Sequence, residues 1–197
     1  SVDTVIPPTL YEQILADNPT RSTRTTFTAF TENTTGTLFA ATEKIGTNAE
    51  KEVYYYAGNT TNNWVKFANF YWRIIRTNHD GSVRLLYAGT SPDTTSGYIG
   101  KSAFNTSSND PMYVGYKYGT TGSLENNRLN TNDSTMKTYI DNWYKNNLTA
   151  YTKYLSNDAV YCNDRNLKSG ETYSNSFDYA SWERIYTNKQ PTYNCTN

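Results

Sequence analysis

The segment 53–90 does most to limit the folds open to this chain. Val53-Tyr-Tyr-Tyr56, Trp64-Val-Lys-Phe67, Phe70–Thr77 and Ser82–Tyr87 are short runs rich in β-branched and aromatic residues. Between them lie turn-formers, Gly58–Asn63 and Asn78-His-Asp-Gly81, the last with glycine where a positive φ is wanted. Runs of this type and spacing predict an antiparallel sheet. In the third run, Phe70, Trp72 and Ile74 alternate with Tyr71, Arg73 and Ile75, so both faces are partly apolar and the strand is expected at the centre of the sheet.

Two helices are expected beside that sheet. Thr9-Leu-Tyr-Glu12 has the spacing of a capping box, Leu10, Tyr11, Ile14 and Leu15 form an apolar stripe, and Asp17-Asn-Pro19 ends it, which predicts a helix over 9–17. Asp133 or Ser134 caps the second, with Met136, Ile140, Trp143, Tyr144 and Asn147 along one stripe, giving a helix over 134–147. Leu148, Tyr151 and Leu155 continue as a further short helix, and Ala159–Cys162 is expected to return to strand. Residues 20–50, with Phe27, Phe30, Leu38, Phe39 and Ile45 among many threonines, read as short strands or an irregular edge broken at Gly36 and Gly46. Residues 91–133 read as a long irregular stretch packed on its own aromatics, among them Tyr98, Phe104, Tyr113, Tyr116 and Tyr118. In the polar tail 163–197, Tyr179, Trp182, Ile185 and Tyr186 serve as anchors. The expected class is therefore α+β and β-rich, an antiparallel sheet with a short N-terminal helix and a helix near 134–147. It is taken as one domain over 1–197, with 1–50 as helix and Thr-rich edge and 51–197 as the sheet-plus-helix core.

Composition narrows function by what it lacks. The 197 residues hold 18 basic and 18 acidic side chains, so there is no basic footprint for a phosphate backbone, and nucleic acid is not an expected partner. The chain is polar without being charged: 31 Thr, 24 Asn and 19 Tyr, which suits strands, polar turns and a contact surface of hydroxyls, amides and rings. No run of 18 apolar residues occurs, so no membrane-spanning helix is expected. Ser1-Val2-Asp3 opens without a basic or apolar leader, which reads either as a cytosolic chain or as one whose leader is removed.

Catalytic patterns are sparse. His79 is the one histidine and lies in a turn, where a solvated role outweighs a triad. Zinc would need more His and Cys ligands than the chain has. Asn130-Thr-Asn-Asp-Ser134 alternates oxygen ligands as a calcium loop does, but it lacks the glycine and distal glutamate of that motif and precedes a helix, so a helix cap is preferred and calcium left open. Carboxylates such as Glu12, Asp80, Asp110, Glu125, Asp141, Asp164, Asp178 and Glu183 show no local motif for glycoside hydrolysis. No catalytic, cofactor or metal residue is assigned. Cys162 and Cys195 are expected to form a disulfide, with two buried thiols as the alternative, because the composition suits an oxidising compartment. The sequons at Asn33, Asn59, Asn105, Asn132, Asn147 and Asn194 are as many as composition predicts and carry no weight. Of the four tryptophans, Trp72 and Trp143 are expected in the core. Trp64, after Asn62 and Asn63, is the candidate for ligand contact.

Several stretches together carry a family likeness: TNNWVKFANFYWRIIRTNHDGSVRLLYAGT (61–90), IGKSAFN (99–105), NDPMYVGYKYG (109–119), NDSTMKTYIDNWYKNNL (132–148) and YCNDRN (161–166). Over roughly 50–197 the chain resembles a large set of secreted or surface proteins of gut Gram-positive bacteria. Many of these begin with a prepilin-like or other anchoring segment. They continue past a PTYNC element (191–195 here) into a half resembling C-type-lectin-like, formylglycine-generating-enzyme-like domains. The resemblance implies an extracellular or cell-surface location and a sheet that is part of a C-type-lectin-like fold, with this chain a fragment, a short member or one part of a split assembly. It implies no activity. The Glu-Pro-Asn and Trp-Asn-Asp motifs of calcium-dependent lectins do not occur. An open sheet edge would invite pairing with another chain. The expected function is thus a non-enzymatic surface or filament (pilin-like) subunit with an adhesive role, partnered by itself or another surface subunit. The alternatives are a monomeric lectin-like module for a glycan or host protein, and, behind both, a glycosidase-like enzyme.

Overall fold

Thr9 and Glu12 start the first helix in the way their spacing predicts. In the computed structural model, which describes residues 6–27, 37–92, 97–107 and 109–195, the Thr9 hydroxyl accepts from the Glu12 N–H at 3.2 Å and Glu12 accepts from the Thr9 N–H at 2.8 Å. Helix α1 spans Leu10–Asp17, and its buried Ile14 packs with Leu38, Tyr54 and Ile74 in the core of a six-stranded sheet. The strands are β1 (Ser22–Thr23), β2 (Thr37–Glu43), β3 (Lys51–Ala57), β4 (Trp64–Phe67), β5 (Phe70–Thr77) and β6 (Val83–Gly89). Phe30, Gly36 and the sequon at Asn33 lie outside the described residues.

β5 is the central strand. It pairs antiparallel with β6 along one side and, on its other side, with β4 through Phe70–Arg73 and with β3 at Arg76. A register shift between Ile74 and Arg76 leaves Ile75 37% exposed. β4 and β5 are joined by Ala68 and Asn69, both with positive φ (52° and 66°), the conformation that a two-residue hairpin requires. β1 adds to β2 in parallel, the one parallel pair among the described strands of this sheet.

The chain packs as two compact units. The first takes residues 1–44, 49–97 and 156–159 and holds α1 and the sheet. The second takes 45–48, 98–155 and 160–197. The sequence reading placed its internal boundary near residue 50. In the structure, 98–155 and 160–197 form a body of their own.

The second unit is built on polar groups. β7 (Lys117–Tyr118) pairs with β8 (Asn132–Asp133), α2 spans Leu124–Asn127 and α3 spans Thr135–Asn147. Its centre is Arg165, 1% exposed, whose guanidinium donates to the Asn127 side-chain carbonyl and to the Lys117 backbone carbonyl. Asn127, fully buried, passes a bond on from Nδ2 to the Met112 carbonyl at 2.6 Å. Buried donors so matched hold a fold that has few aliphatic side chains to bury. Gly119 is needed beside them, since a Cβ there would lie 1.9 Å from the Asn126 carbonyl oxygen. The expected self-packing of 91–133 is seen in the Phe104–Tyr116 and Tyr113–Tyr118 ring pairs.

Two expectations are corrected. Ala159–Cys162 forms no strand: Tyr161 is 73% exposed and Cys162 is tied to Cys195 by a disulfide, so exposure and a covalent tie override the apolar pattern. Trp143 is half-buried, not core, because α3 lies along the outside of its unit with no fully buried residue. Leu148 is buried and continues into the expected short turn of helix, Thr149–Tyr154, which is of the tighter 3₁₀ type. The Cys162–Cys195 disulfide is formed, with its Cα atoms 5.6 Å apart. Among the described residues, no helix is long and apolar enough to cross a membrane.

Candidate ligand-binding surface

Asn62, Asn63 and Trp64 sit together where β4 begins, each with a different duty. Asn63 is 5% exposed. Its backbone carbonyl accepts from the Ile74 N–H at 2.7 Å and its Nδ2 donates to the Ile74 carbonyl at 3.0 Å. It thereby fills the interval on β5 between the stretches paired to β4 and to β3. Asn62 is exposed and donates to Asn18 Oδ1 at 3.3 Å. Trp64 is half-buried, with the Arg73 guanidinium 4.5 Å from its ring centre. Arg73 is itself held by the Thr60 carbonyl and hydroxyl at 2.9 and 3.0 Å.

His79 is oriented by Glu43, which is 3% exposed. One Glu43 oxygen pairs with the buried Arg76 guanidinium. The other accepts the His79 backbone N–H at 2.9 Å and lies 3.5 Å from His79 Nδ1. Asn78 closes the turn on Ser82 at 2.8 Å. The network pins the β5–β6 turn to β2, a structural role that the sequence spacing of 36 residues between Glu43 and His79 hides. Ser134 accepts from the Lys137 N–H at 3.0 Å, as a helix cap does, and Asp133 pairs with Lys117 and Lys137. Among the described residues, no three His, Cys, Asp or Glu side chains converge as metal ligands would.

The surface that stands out is on the second unit. Helix α4 (Ala180–Trp182) runs into a wide turn over Glu183–Thr187, in which the Asn188 N–H reaches back five residues to the Glu183 carbonyl at 2.9 Å. Turns of this width recur at functional sites. Trp182 and Tyr186, four residues apart, stack with ring centres 4.9 Å apart and planes 27° apart. Trp182, Ile185 and Tyr186 are 42%, 62% and 66% exposed. Ammonium groups lie over both rings, Lys168 at 4.5 Å from Trp182 and Lys189 at 4.9 Å from Tyr186. The turn is braced from below: Arg184 pairs with Asp164, and Glu183 accepts from the Ser169 hydroxyl at 3.0 Å.

Exposed neighbouring apolar side chains on a braced backbone lose little entropy when a partner covers them. From the sequence these three residues read as anchors of the tail, since their i, i+3, i+4 spacing is the same for a buried and for an exposed stripe. The lysine fourteen residues before Trp182 gives no local signal either. Comparisons of the chain with protein-family models, with curated proteins and with solved structures find no match.

Proposed function

We propose that this chain is a non-enzymatic, extracellular adhesive domain that engages its ligand through the Trp182–Ile185–Tyr186 surface. The observation that supports it is the exposed Trp182–Tyr186 stack on a braced turn: exposed tryptophan and tyrosine are enriched among contact hot spots. A disulfide between Cys162 and Cys195 fits an oxidising compartment. The likeness of 50–197 to surface proteins points the same way, and on that likeness alone the sheet is read as part of a C-type-lectin-like fold. The test is binding of the full chain to a glycan array and to an immobilised mucin-type glycoprotein. Trp182→Ala with Tyr186→Ala is expected to abolish capture while leaving the circular dichroism spectrum intact. Undiminished capture by that variant would remove this surface from the reading.

Assembly into a filament is the second reading, favoured by β6. That strand pairs with β5 on one side, and among the described residues no strand lies on the other, although Gly97 packs against the Ala88 backbone near its end. Leu86 in it is 57% exposed. A strand so placed can accept another copy by strand addition. Light scattering after size exclusion decides it: concentration-dependent growth supports the filament, and a strict monomer at high concentration rejects it.

A further inference from the structure

We propose that a second site, the groove between residues 105–107 and 109–114 on one side and 175–177 on the other, within the second unit, binds a neutral pyranose ring of a glycan. This rests on the adhesive reading and gives it a ligand class, but the groove shares no residue with the Trp182 surface.

The groove has a volume of about 350 Å³, inside the range of roughly 300–1,000 Å³ that holds small ligands. One wall carries Asn109, Asp110, Pro111 and Val114, and the other carries Asn175 and Phe177. This is the mixture a sugar ring presents in mirror image, apolar C–H faces edged with hydroxyls. Pro111, Val114 and Phe177 offer apolar surface. The side-chain amides of Asn109 and Asn175 make no hydrogen bond among the described residues, and each can both donate to and accept from a hydroxyl. Asp110 spends one oxygen on the Met112 N–H at 2.9 Å, which leaves the other to accept from a hydroxyl, a charge-assisted bond.

The charge of the site selects among sugars. Among the described residues Asp110 is the one charged side chain lining the groove, and the Arg165 guanidinium behind Tyr179 is already bound to Asn127 and the Lys117 carbonyl, so a uronic or sialic acid would meet like charge at the groove itself.

Both walls are set before any ligand arrives. Phe177 is held between Tyr173 and Tyr179, with ring centres 5.2 and 5.0 Å away. Tyr179, beside one wall, donates its hydroxyl to the Pro111 carbonyl of the other at 2.9 Å. Burial pushes the Tyr179 pKa up and so keeps that donor proton in place. Asn127, bound to the buried Arg165, holds the Met112 carbonyl. Fixed walls reduce the ordering cost of binding.

The experiment is nuclear magnetic resonance of the isotope-labelled full chain, titrated with the methyl glycosides of glucose, galactose, mannose, N-acetylglucosamine and glucuronic acid. At least one neutral glycoside is expected to shift the side-chain amides of Asn109 and Asn175 and the signals of Phe177, with glucuronide weaker. Asn175→Ala, an exposed change that leaves the fold's own bonds alone, should weaken that titration by about tenfold. Asp110→Asn keeps the bond to Met112 and should narrow the gap between neutral and acidic glycosides. Trp182→Ala should leave the groove titration unchanged. The inference is overturned if no neutral glycoside shifts the groove signals, or if the shifts persist at full affinity in the folded Asn175→Ala protein. Adhesion lost in Trp182→Ala but kept in Asn175→Ala, with no groove shifts, would leave the adhesive reading standing and remove this one.

Discussion

Asn63 holds the Ile74 N–H through its backbone and the Ile74 carbonyl through its amide, and both bonds are out of water. Asn63→Ala is therefore expected to lower stability by about 2 kcal/mol, since a buried carbonyl loses its donor. The exposed neighbour Asn62→Ala should change it by less than about 0.5 kcal/mol. Thermal unfolding of both variants measures the difference, and equal effects would show that the amide bond contributes nothing. The sequence shows Asn62, Asn63 and Trp64 only as a polar strand entrance. Their fates diverge because Asn63 continues the β4–β5 register by one position and faces Ile74, eleven residues on, whereas Asn62 lies beyond that pairing. Tyr54 is a second case. Its hydroxyl donates to Glu52, and that bond, helped by burial, pushes its pKa up to about 12 from 10.0. The fold thus favours the protonated phenol. The stabilisation is present below pH 10 and is lost as pH rises from 10 to about 12. Glu52→Gln should bring the phenolate absorbance of Tyr54 back toward 10. A midpoint unmoved by that change would mean that the Glu52 bond is not the cause.

Helix starts and the inner strands are where sequence and structure agree most closely, and the reason is that their causes are local. Thr9 with Glu12, Ser134 before Thr135, and Gly81 at φ +80° each act within a turn of chain. The alternation along Phe70–Thr77 marks a strand covered on both sides, and β5 is one. Ala159–Cys162 carries the same kind of signal yet forms no strand, so period alone misleads there. The Trp182 surface was hidden for a related reason: periodicity tells which side chains share a face but not what lies opposite that face. Ser134 gives a prediction at this scale. Its hydroxyl is 1% exposed and accepts from the Lys137 N–H, so Ser134→Ala should cost about 1–2 kcal/mol and fray the first turn of α3. Faster amide exchange at Lys137, with Asn147 at the other end of the helix little changed, is the expected pattern. Uniform exchange along α3 would mean that the cap does not govern its start.

At the scale of the molecule, the division into two units makes the disulfide a local staple. Cys162 and Cys195 are 33 residues apart and both belong to the second unit. Cys195 is buried, and its carbonyl accepts from the Gly46 N–H at 2.8 Å, where Ile45 pairs with it as a parallel bridge. The bond thus holds not only the C-terminal segment but also the excursion 45–48 that the chain makes between β2 and β3. On the chain-entropy account, a closed loop of this size stabilises by about 3–4 kcal/mol. That stabilisation should be withdrawn from the second unit when both cysteines are replaced by serine. The expected signature is selective. The Gly46 amide and the Arg165–Asn127 region should exchange faster, while Tyr54 and Ile74 at the centre of the sheet, in the first unit, keep their protection. Hydrogen exchange of the double serine variant beside the oxidised chain reads this directly. Equal loss of protection at Ile74 and Gly46 would instead mean that both units unfold in one cooperative step, and the division seen in the packing would then have no counterpart in stability.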